Sequence, residues 1–294
     1  MKYTINQFRK EYRNDDVCLD AIFKLRYSSM PCCPQCQQET KFKRITGRRA
    51  YQCSDKDCQY QLYPTAGTVF EKTRTPLTDW FYVIYLMTST RNGVSAKEIQ
   101  RQLGVTYKCA WRMGHQIRLL MQGGNQTLSG MVEVDETYIG GKNEFKHKKV
   151  RDELNKKGTG YVNKTPVVAM LERSGDVVVK VLNEANSETI RPLMAKHIEQ
   201  GSTVITDGFG AYRALKHTHK HEVVNHANDE FVRGVFHTNT IEGFFSHLKR
   251  TIKGTHIHVS VKYLERYSNE CAFRYANRKE GQMMFKTILS RVVA

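Results

Sequence analysis

Two cysteine pairs constrain this chain more than any other feature. Cys33-Pro-Gln-Cys36 and Cys53-Ser-Asp-Lys-Asp-Cys58 form a C-x2-C and a C-x4-C knuckle separated by sixteen residues. Four thiolates in two short knuckles match a closed tetrahedral Zn2+ site, and four protein ligands leave no open position, so the metal is structural. The intervening Lys41-Phe42-Lys43-Arg44 and Arg48-Arg49-Ala50-Tyr51 read as two strands joined near Gly47. Together they predict a zinc ribbon over residues 31–63, with basic strands able to touch phosphate. The bland alternative is a set of free buried cysteines, and the paired spacing weighs against it. Cys32 leaves the first knuckle open, because it can replace Cys33 in a longer one. The isolated Cys18, Cys109 and Cys271 read as core residues.

Compartment and partner follow from the bulk properties. Five of the eight cysteines lie between Cys32 and Cys58, and the first ten residues hold no apolar run of signal-peptide type. Clustered cysteines without such a signal argue for metal in a reducing, cytoplasmic setting. The most apolar stretch, Trp80 to Met87, is far shorter than the ~20 residues a membrane span requires, so no membrane association is expected. With 46 Lys and Arg against 29 Asp and Glu, the 294-residue chain carries a net charge of +17. Such an excess favours polyanions, since each neutralised phosphate releases counterions. A generic basic protein is the plain alternative.

Periodicity divides the chain. Residues 1–30 read as one helical segment, with Val17, Ala21, Ile22 and Leu25 at helical spacing after a cap at Asn14 or Asp15. Residues 76–122 are helical, and Gly123-Gly124-Asn125-Gln126 reads as a linker. From residue 128 to 280 the pattern turns to strands. These are Met131 to Asp135, a Pro166 to Leu182 hairpin turning at Ser174-Gly175-Asp176, Thr203 to Asp207, and Glu222 to Asn225. Helices are expected at Ser187 to Gln200, Gly210 to Leu215, Asn239 to Lys253 and Val261 to Arg278. This order predicts an α/β domain with a mixed sheet and helices packed on it. The basic insertion Lys142 to Lys164 reads as a mobile loop, and residues 281–294 as a C-terminal tail.

Within the helical region, Ser95-Ala-Lys-Glu98 has the form of a capping box, with Ile99 and Leu103 on the apolar stripe. Gly104-Val105 supplies a turn and Thr106 caps a second helix running through Trp111 to Leu120. This resembles a helix-turn-helix, which would place Tyr107, Lys108 and Arg112 near the start of a recognition helix in a major groove. An ordinary helical hairpin uses the same turn chemistry.

Three carboxylates stand in contexts suited to hard divalent cations, which take oxygen ligands. Asp135 and Asp207 sit at or near the ends of β-branched runs, and Glu242 opens a helical pattern. Each has a plainer reading. Asp135 fits a strand end, with Glu133 a rival ligand on the same strand face. Asp207 precedes Gly208 and fits a turn. Glu242 follows Asn239 by three residues and fits the third position of an Asn-capped helix. On that helix Glu242, Ser246 and Lys249 share one face, so a lysine can hold phosphate where the glutamate holds metal. Lys249-Arg250 otherwise reads as a solvated basic face.

The set is more specific than its members. Val-Glu-Val-Asp-Glu-Thr-Tyr-Ile-Gly-Gly-Lys, Thr-Asp-Gly-Phe-Gly-Ala-Tyr and His-Thr-Asn-Thr-Ile-Glu-Gly-Phe-Phe-Ser-His-Leu-Lys-Arg resemble the DDE transposases of bacterial insertion sequences. The likeness is to the subgroup with an N-terminal zinc ribbon, related to the Merlin elements, and it covers nearly the whole chain. It implies an RNase H-like catalytic domain in which Asp135, Asp207 and Glu242 bind two Mg2+ (or Mn2+) ions, with Lys249 as the basic residue on the glutamate's helix. Asn239 is an alternative third residue, as cap or ligand. The resemblance further implies double-stranded DNA as partner, both the element's terminal inverted repeats and its target. A homodimer or larger synaptic complex and a bacterial, nucleoid-associated location also follow from it. Two-metal chemistry then cleaves the phosphodiester and transfers the strand without a covalent enzyme intermediate.

Two rivals remain at this level. His256-Ile257-His258 on a strand, with Tyr263 and Tyr267 downstream, is the pattern of a single-metal tyrosine endonuclease. A zinc-ribbon and helix-turn-helix regulator, or an inactive transposase relic, would bind DNA without cutting it.

Overall fold

The computed structural model describes residues 3–39, 41–123, 126–141, 147–149, 151–152, 163–173, 175–212, 218–228, 230–280 and 282–292. The chain divides into two compact units, residues 1–120 with 279–294, and residues 121–278.

The first unit opens with two helices where the sequence predicts one segment. A Thr4–Gln7 capping box starts α1 (Ile5–Glu11), and the Asn14 side chain accepts from the Val17 N–H to start α2 (Asp15–Tyr27). Asn14 lies in extended backbone, with φ −155°. A side-chain cap there competes with continuing α1, so the chain breaks and restarts. The buried face of α2 is Cys18, Leu19 and Ile22, whereas Leu25 is 42% exposed.

The ribbon holds three antiparallel strands rather than two: β1 (Phe42–Arg44), β2 (Tyr51–Cys53) and β3 (Gln61–Leu62). It docks on α2, where the Phe23 and Tyr51 rings stack at 4.0 Å and the Tyr51 hydroxyl donates to Asp20. Arg44 reaches Asp16 at 3.3 Å, and Arg49 reaches Asp15 at 3.2 Å. Half-exposed ion pairs of this kind contribute ~0–1 kcal/mol each, so ring packing dominates the docking. Two arginines expected to face phosphate are thus engaged by α2, while Lys43 and Arg48 stay exposed.

Three more helices follow: α3 (Leu77–Ser89), α4 (Ala96–Leu103) and α5 (Tyr107–Leu120). Residues 281–294 are no tail. They contain a helix, Gln282–Arg291, that belongs to this unit. Phe285, Ile288, Leu289 and Val292 recur at helical spacing and are buried. The Phe285 ring lies 5.5 Å from Tyr3, 5.4 Å from Tyr12 and 6.3 Å from Phe81. An apolar stripe of that width needs a partner face, and the aromatic cluster provides it.

In the second unit β4 (Met131–Ile139), β5 (Thr165–Glu172) and β6 (Val177–Val181) pair antiparallel. Helix α6 (Ser187–His197) leads to β7 (Thr203–Thr206), which pairs parallel with β4, and β8 (Lys220–Val223) pairs parallel with β7. The sheet order is β6-β5-β4-β7-β8. An unpredicted hairpin of β9 (Val232–Arg233) and β10 (Phe236–His237) turns on Gly234-Val235. Gly234 has φ +60°, a conformation that favours glycine at the first position of a two-residue turn. Helix α7 (Asn239–Thr251) continues as a π-helical stretch, Ile252–His256, before α8 (Val261–Ala276).

Helices cover both faces of the sheet. Val132, Val134, Val168 and Val204 pack with Ile190 and Met194 of α6. Val167, Ala169, Leu171 and Val179 pack with Ile241, Phe244 and Leu248 of α7 and with Leu264 and Cys271 of α8. This is the RNase H-like α/β arrangement predicted. Strand β4 runs four residues past its expected end, because Thr137, Tyr138 and Ile139 extend its ladder with β5. Most of the Lys142 to Lys164 insertion, Ser174, and residues 213–215 of the helix expected at Gly210 lie outside the described residues. Among the described residues no helix is long and apolar enough to cross a membrane.

Phe285→Ala should destabilise the first unit by about 3–5 kcal/mol, the usual cost of deleting a buried phenyl group. Met283→Ala, at a position 53% exposed on the same helix, should change stability by less than about 0.5 kcal/mol. Thermal unfolding followed by near-UV circular dichroism checks both.

Candidate active site and metal centres

The knuckles bring Cys33, Cys36, Cys53 and Cys58 together, with all four sulfurs within 4.8 Å of one another. Cys33 and Cys58 sulfurs are 3.7 Å apart, and Cys36 and Cys53 sulfurs 4.0 Å. A Zn–S bond of about 2.3 Å implies tetrahedral S···S edges of about 3.8 Å, so the set fits a structural Zn2+. Local hydrogen bonds build each knuckle: Gln37 N–H donates to the Cys33 carbonyl, and the Asp55 carboxylate accepts from the N–H groups of Asp57 and Cys58. Desolvation opposes ionisation of Cys33, yet the N–H groups of Cys36 and Gln35, together with the Cys58 and Cys36 thiols, draw the thiol down to about 7. Cys32 stands outside the group, its sulfur 3.8 Å from the Gln37 side-chain oxygen. That resolves the knuckle in favour of Cys33.

Helices α4 and α5 form the expected pair. Ser95 accepts from the Glu98 N–H, Gly104 ends α4 at φ +67°, and Thr106 accepts from the Cys109 N–H to open α5. The capping box is only half formed, because the Glu98 carboxylate bonds Arg101 and Gln102 instead. Tyr107, Lys108 and Arg112 are all exposed on the first turns of α5. Lys97 lies 5.1 Å over the Tyr107 ring, and Arg112 lies 5.9 Å from the Trp80 ring.

Strand pairing places the acids. In the parallel ladder Val132 faces Val204 and Val134 faces Thr206, so Asp135 and Asp207 are the next pair in register. Odd-numbered residues of β4 share the sheet face of Val167 and Ala169, the face under α7. Asp135 therefore lies mid-strand rather than at a strand end. Burial pushes its carboxyl up to about 7, reinforced by repulsion from Glu136, Asp207 and Glu242. Asp207 also makes the turn its neighbour suggested, accepting from the Phe209 N–H at 3.0 Å. Among the described residues the cysteines are the only group of three or more potential ligands whose atoms all lie within 4.8 Å of one another, so the three carboxylates do not form so tight a cluster. A pair of cations about 3.5–4 Å apart spreads its ligands further than a single ion does.

Helix α7 presents the third acid. Asn239 is its first helical residue and Thr238 its N-cap, so Asn239 does not cap it. The Thr238 hydroxyl donates to Glu242 at 3.0 Å and meets His226 Nε2 at 3.3 Å. A hydroxyl has one proton, so the His226 contact is an N–H donated to oxygen. Glu242, Ser246, Lys249 and Arg250 are exposed, while Ile241, Phe244, Phe245 and Leu248 are buried.

Glu133, the rival ligand, is otherwise engaged. It is fully buried and accepts from Arg173 Nε at 2.8 Å, Thr240 Oγ1 at 2.9 Å, and the N–H groups of Thr240 and Ile241 at 3.0 Å. Sequence reasoning also passed over Glu136, which sits on the α6 side of the sheet. Tyr212 donates to it at 2.6 Å, and burial raises its carboxyl above the usual range with Asp207 adding repulsion. Its position beside Asp135 was the only available signal. The His256-Ile257-His258 pattern is not on a strand: His256 closes the π-helical stretch, with its ring 4.6 Å from Tyr267, and Ile257 has φ +64°.

Two measurements follow from these geometries. Metal analysis should find one zinc per chain, lost in Cys36→Ser or Cys58→Ser and kept in Cys32→Ser. For Asp135, the native carboxyl titrates near 7 against an unfolded value of about 3.9. The native state thus binds the extra proton, and the stability this confers is present below ~4 and lost as pH rises through about 7. With zinc bound and no Mg2+ or Mn2+ added, Asp135→Asn should raise the melting temperature by a few degrees at pH 8 and leave it nearly unchanged at pH 4, as read by scanning calorimetry.

Comparison with known proteins finds matches to two separate parts of the chain. A family model described as ISXO2-like transposase domain matches residues 127–276, and one described as transposase zinc-ribbon domain matches residues 13–61. The chain is 30% identical over 291 residues to an uncharacterized protein in transposable element ISH50 of Halobacterium salinarum, covering 95% of this chain and 97% of that protein. A chain from the cryo-EM structure of the simian T-cell lymphotropic virus intasome in complex with PP2A regulatory subunit B56 gamma is similar at a TM-score of 0.30. That likeness has 14% identity and spans 65% of this chain and 64% of the other. With the transposase-domain match spanning half of the chain, and a relative matched over nearly its whole length, this protein belongs to the ISXO2-like transposases.

Proposed function

We propose that this transposase cuts and joins DNA at the acidic site on β4, β7 and α7, using divalent cations. The observation that supports this most is the ladder register, which sets Asp135 and Asp207 side by side on the sheet face covered by the helix of Glu242. Burial, with repulsion from Glu136, Asp207 and Glu242, raises the Asp135 carboxyl, and a bound Mg2+ or Mn2+ would offset both. Asp135, Asp207 and Glu242 would hold the ions, and Asn239, at the start of the same helix, would not. Bound there, the cations supply Lewis-acid activation of the attacking oxygen and neutralise charge on the leaving oxygen.

The chain's own residues do the rest. Lys249, almost two turns along α7 on the exposed face of Glu242, holds the phosphate beside the cut. Arg250 contacts the neighbouring backbone phosphate. Tyr107, Lys108 and Arg112 on α5 read duplex DNA at the element's inverted repeats, and the net charge of +17 draws both repeat and target DNA. Joining two ends needs at least two copies of the chain. Residues 31–63 as ribbon, 76–122 as reading head and 128–280 as cutting domain are the corresponding division of labour.

Asp135→Ala and Glu242→Ala should each lower Mg2+-dependent cleavage of an inverted-repeat duplex by at least ~10³-fold, with DNA binding by band shift preserved. Lys249→Met should lower it ~10²-fold, the scale of one lost electrostatic donor. Cleavage that survives Asp135→Ala, or a covalent protein–DNA adduct abolished by Tyr267→Phe, would replace this reading with another.

A further inference from the structure

Helix α7 starts in an unusual way. Its N-cap residue, Thr238, makes no side-chain cap, because its hydroxyl is turned to Glu242. The first N–H groups of a helix need acceptors from somewhere. Here Thr240 and Ile241 both donate to one oxygen of Glu133, each at 3.0 Å. The acceptor lies on another element, more than a hundred residues away in sequence. Its second oxygen takes the Thr240 hydroxyl at 2.9 Å and Arg173 Nε at 2.8 Å. A negative charge at a helix N-terminus is favourable, and the guanidinium compensates its burial. With both oxygens occupied, Glu133 has no capacity left for a cation.

Position gives this clamp its consequence. Glu133 is two residues before Asp135 on the same strand face, and Ile241 directly precedes Glu242. One buried carboxylate therefore ties the strand of the first acid to the helix turn of the third. Arg173 extends the tie to the hairpin, donating to the carbonyl of Val235 in its turn and to that of His237 at its end, the latter at 3.1 Å.

We infer that Glu133 is a positioning residue: it caps α7 across the core and sets Glu242 against Asp135 at the spacing that divalent cations require. The inference rests on the reading of Asp135 and Glu242 as metal-binding. Groups that orient metal ligands without touching the metal typically cost 10–100-fold in metal affinity when removed.

The test uses the full, zinc-loaded chain and Mn2+ alone, with binding followed by electron paramagnetic resonance. Glu133→Gln should weaken Mn2+ binding by about 10–100-fold. Phe245→Ala, which loosens the buried face of the same helix without touching the clamp, should leave the affinity within about threefold once both variants are shown folded. Thr240→Val removes a single donor and keeps the backbone N–H. It should give a loss at the lower end of the range for Glu133→Gln, about tenfold, and it serves if Glu133→Gln does not fold. Arm by arm the outcomes separate. Mn2+ binding lost in Asp135→Asn but unchanged in Glu133→Gln and Thr240→Val, or a loss in Phe245→Ala as large as in Glu133→Gln, overturns the positioning role alone. Binding indifferent to Asp135→Asn overturns the metal site and the positioning role with it.

Discussion

The parallel pairing of β4 with β7 is the constraint from which the acidic site derives. Side chains alternate between sheet faces, so a slip of one residue would send Asp207 to the α6 side and leave Asp135 on the other. The slip is prevented by the core rather than by the acids. Val132, Val134 and Val204 are all fully buried with Ile190 and Met194, and moving β7 by one position would put Thr203 in place of Val204 in one direction and the Asp207 carboxylate in place of the buried Thr206 in the other. Burial of whole aliphatic side chains contributes ~1.5–3 kcal/mol each. Against that, repulsion between two neighbouring carboxylates is affordable, and the apolar register imposes a polar arrangement that on its own would be unfavourable.

A second constraint acts at right angles to the ladder. The pairing fixes two acids on one sheet, but Glu242 arrives on a helix, and helices slide and rotate on sheets with little change in buried apolar area. Glu133 and Arg173 remove that freedom, because hydrogen bonds are directional where dispersion is not. A buried ion pair contributes little net stability compared with apolar residues of the same volume, and registry is its best-attested use. The β9–β10 hairpin is tied in through Arg173, so the segment leading into α7 is anchored at both its strand and its helix.

How far this was legible in the sequence depended on the range of the interactions involved. The cysteine knuckles, the α4–α5 turn and the β5–β6 hairpin are local, and spacing alone located them. The three acids stood out in their motifs, but their juxtaposition requires the β4–β7 register, which joins distant segments. Glu133 looked like a competing ligand because an alternating strand reveals only which face an acid takes. Its donors, Arg173 and Thr240, lie 40 and 107 residues away. Other misses were of signals in plain sight. Phe285, Ile288, Leu289 and Val292 follow a helical spacing that a reading of residues 281–294 as a tail ignored. The Arg-Gly-Val step at Gly234 marks a tight turn, and Thr137-Tyr138-Ile139 favours strand beyond the acids that suggested its end.

Helix α7 shows why such a site can be both rigid and open. Its inward row, Ile241, Phe244, Phe245 and Leu248, is buried with β5, β6 and α8, whereas Glu242, Ser246 and Lys249 form an exposed row on the same thirteen residues. The 3.6-residue repeat keeps the two rows separate along the helix. Packing therefore fixes where the polar row lies without occupying any of its groups. Only at the first turn do the rows meet, where Thr240 and Ile241 donate to Glu133 and Glu242 accepts from Thr238. That turn is where the order of the core is passed to the acids, and it is held by hydrogen bonds rather than by apolar contact.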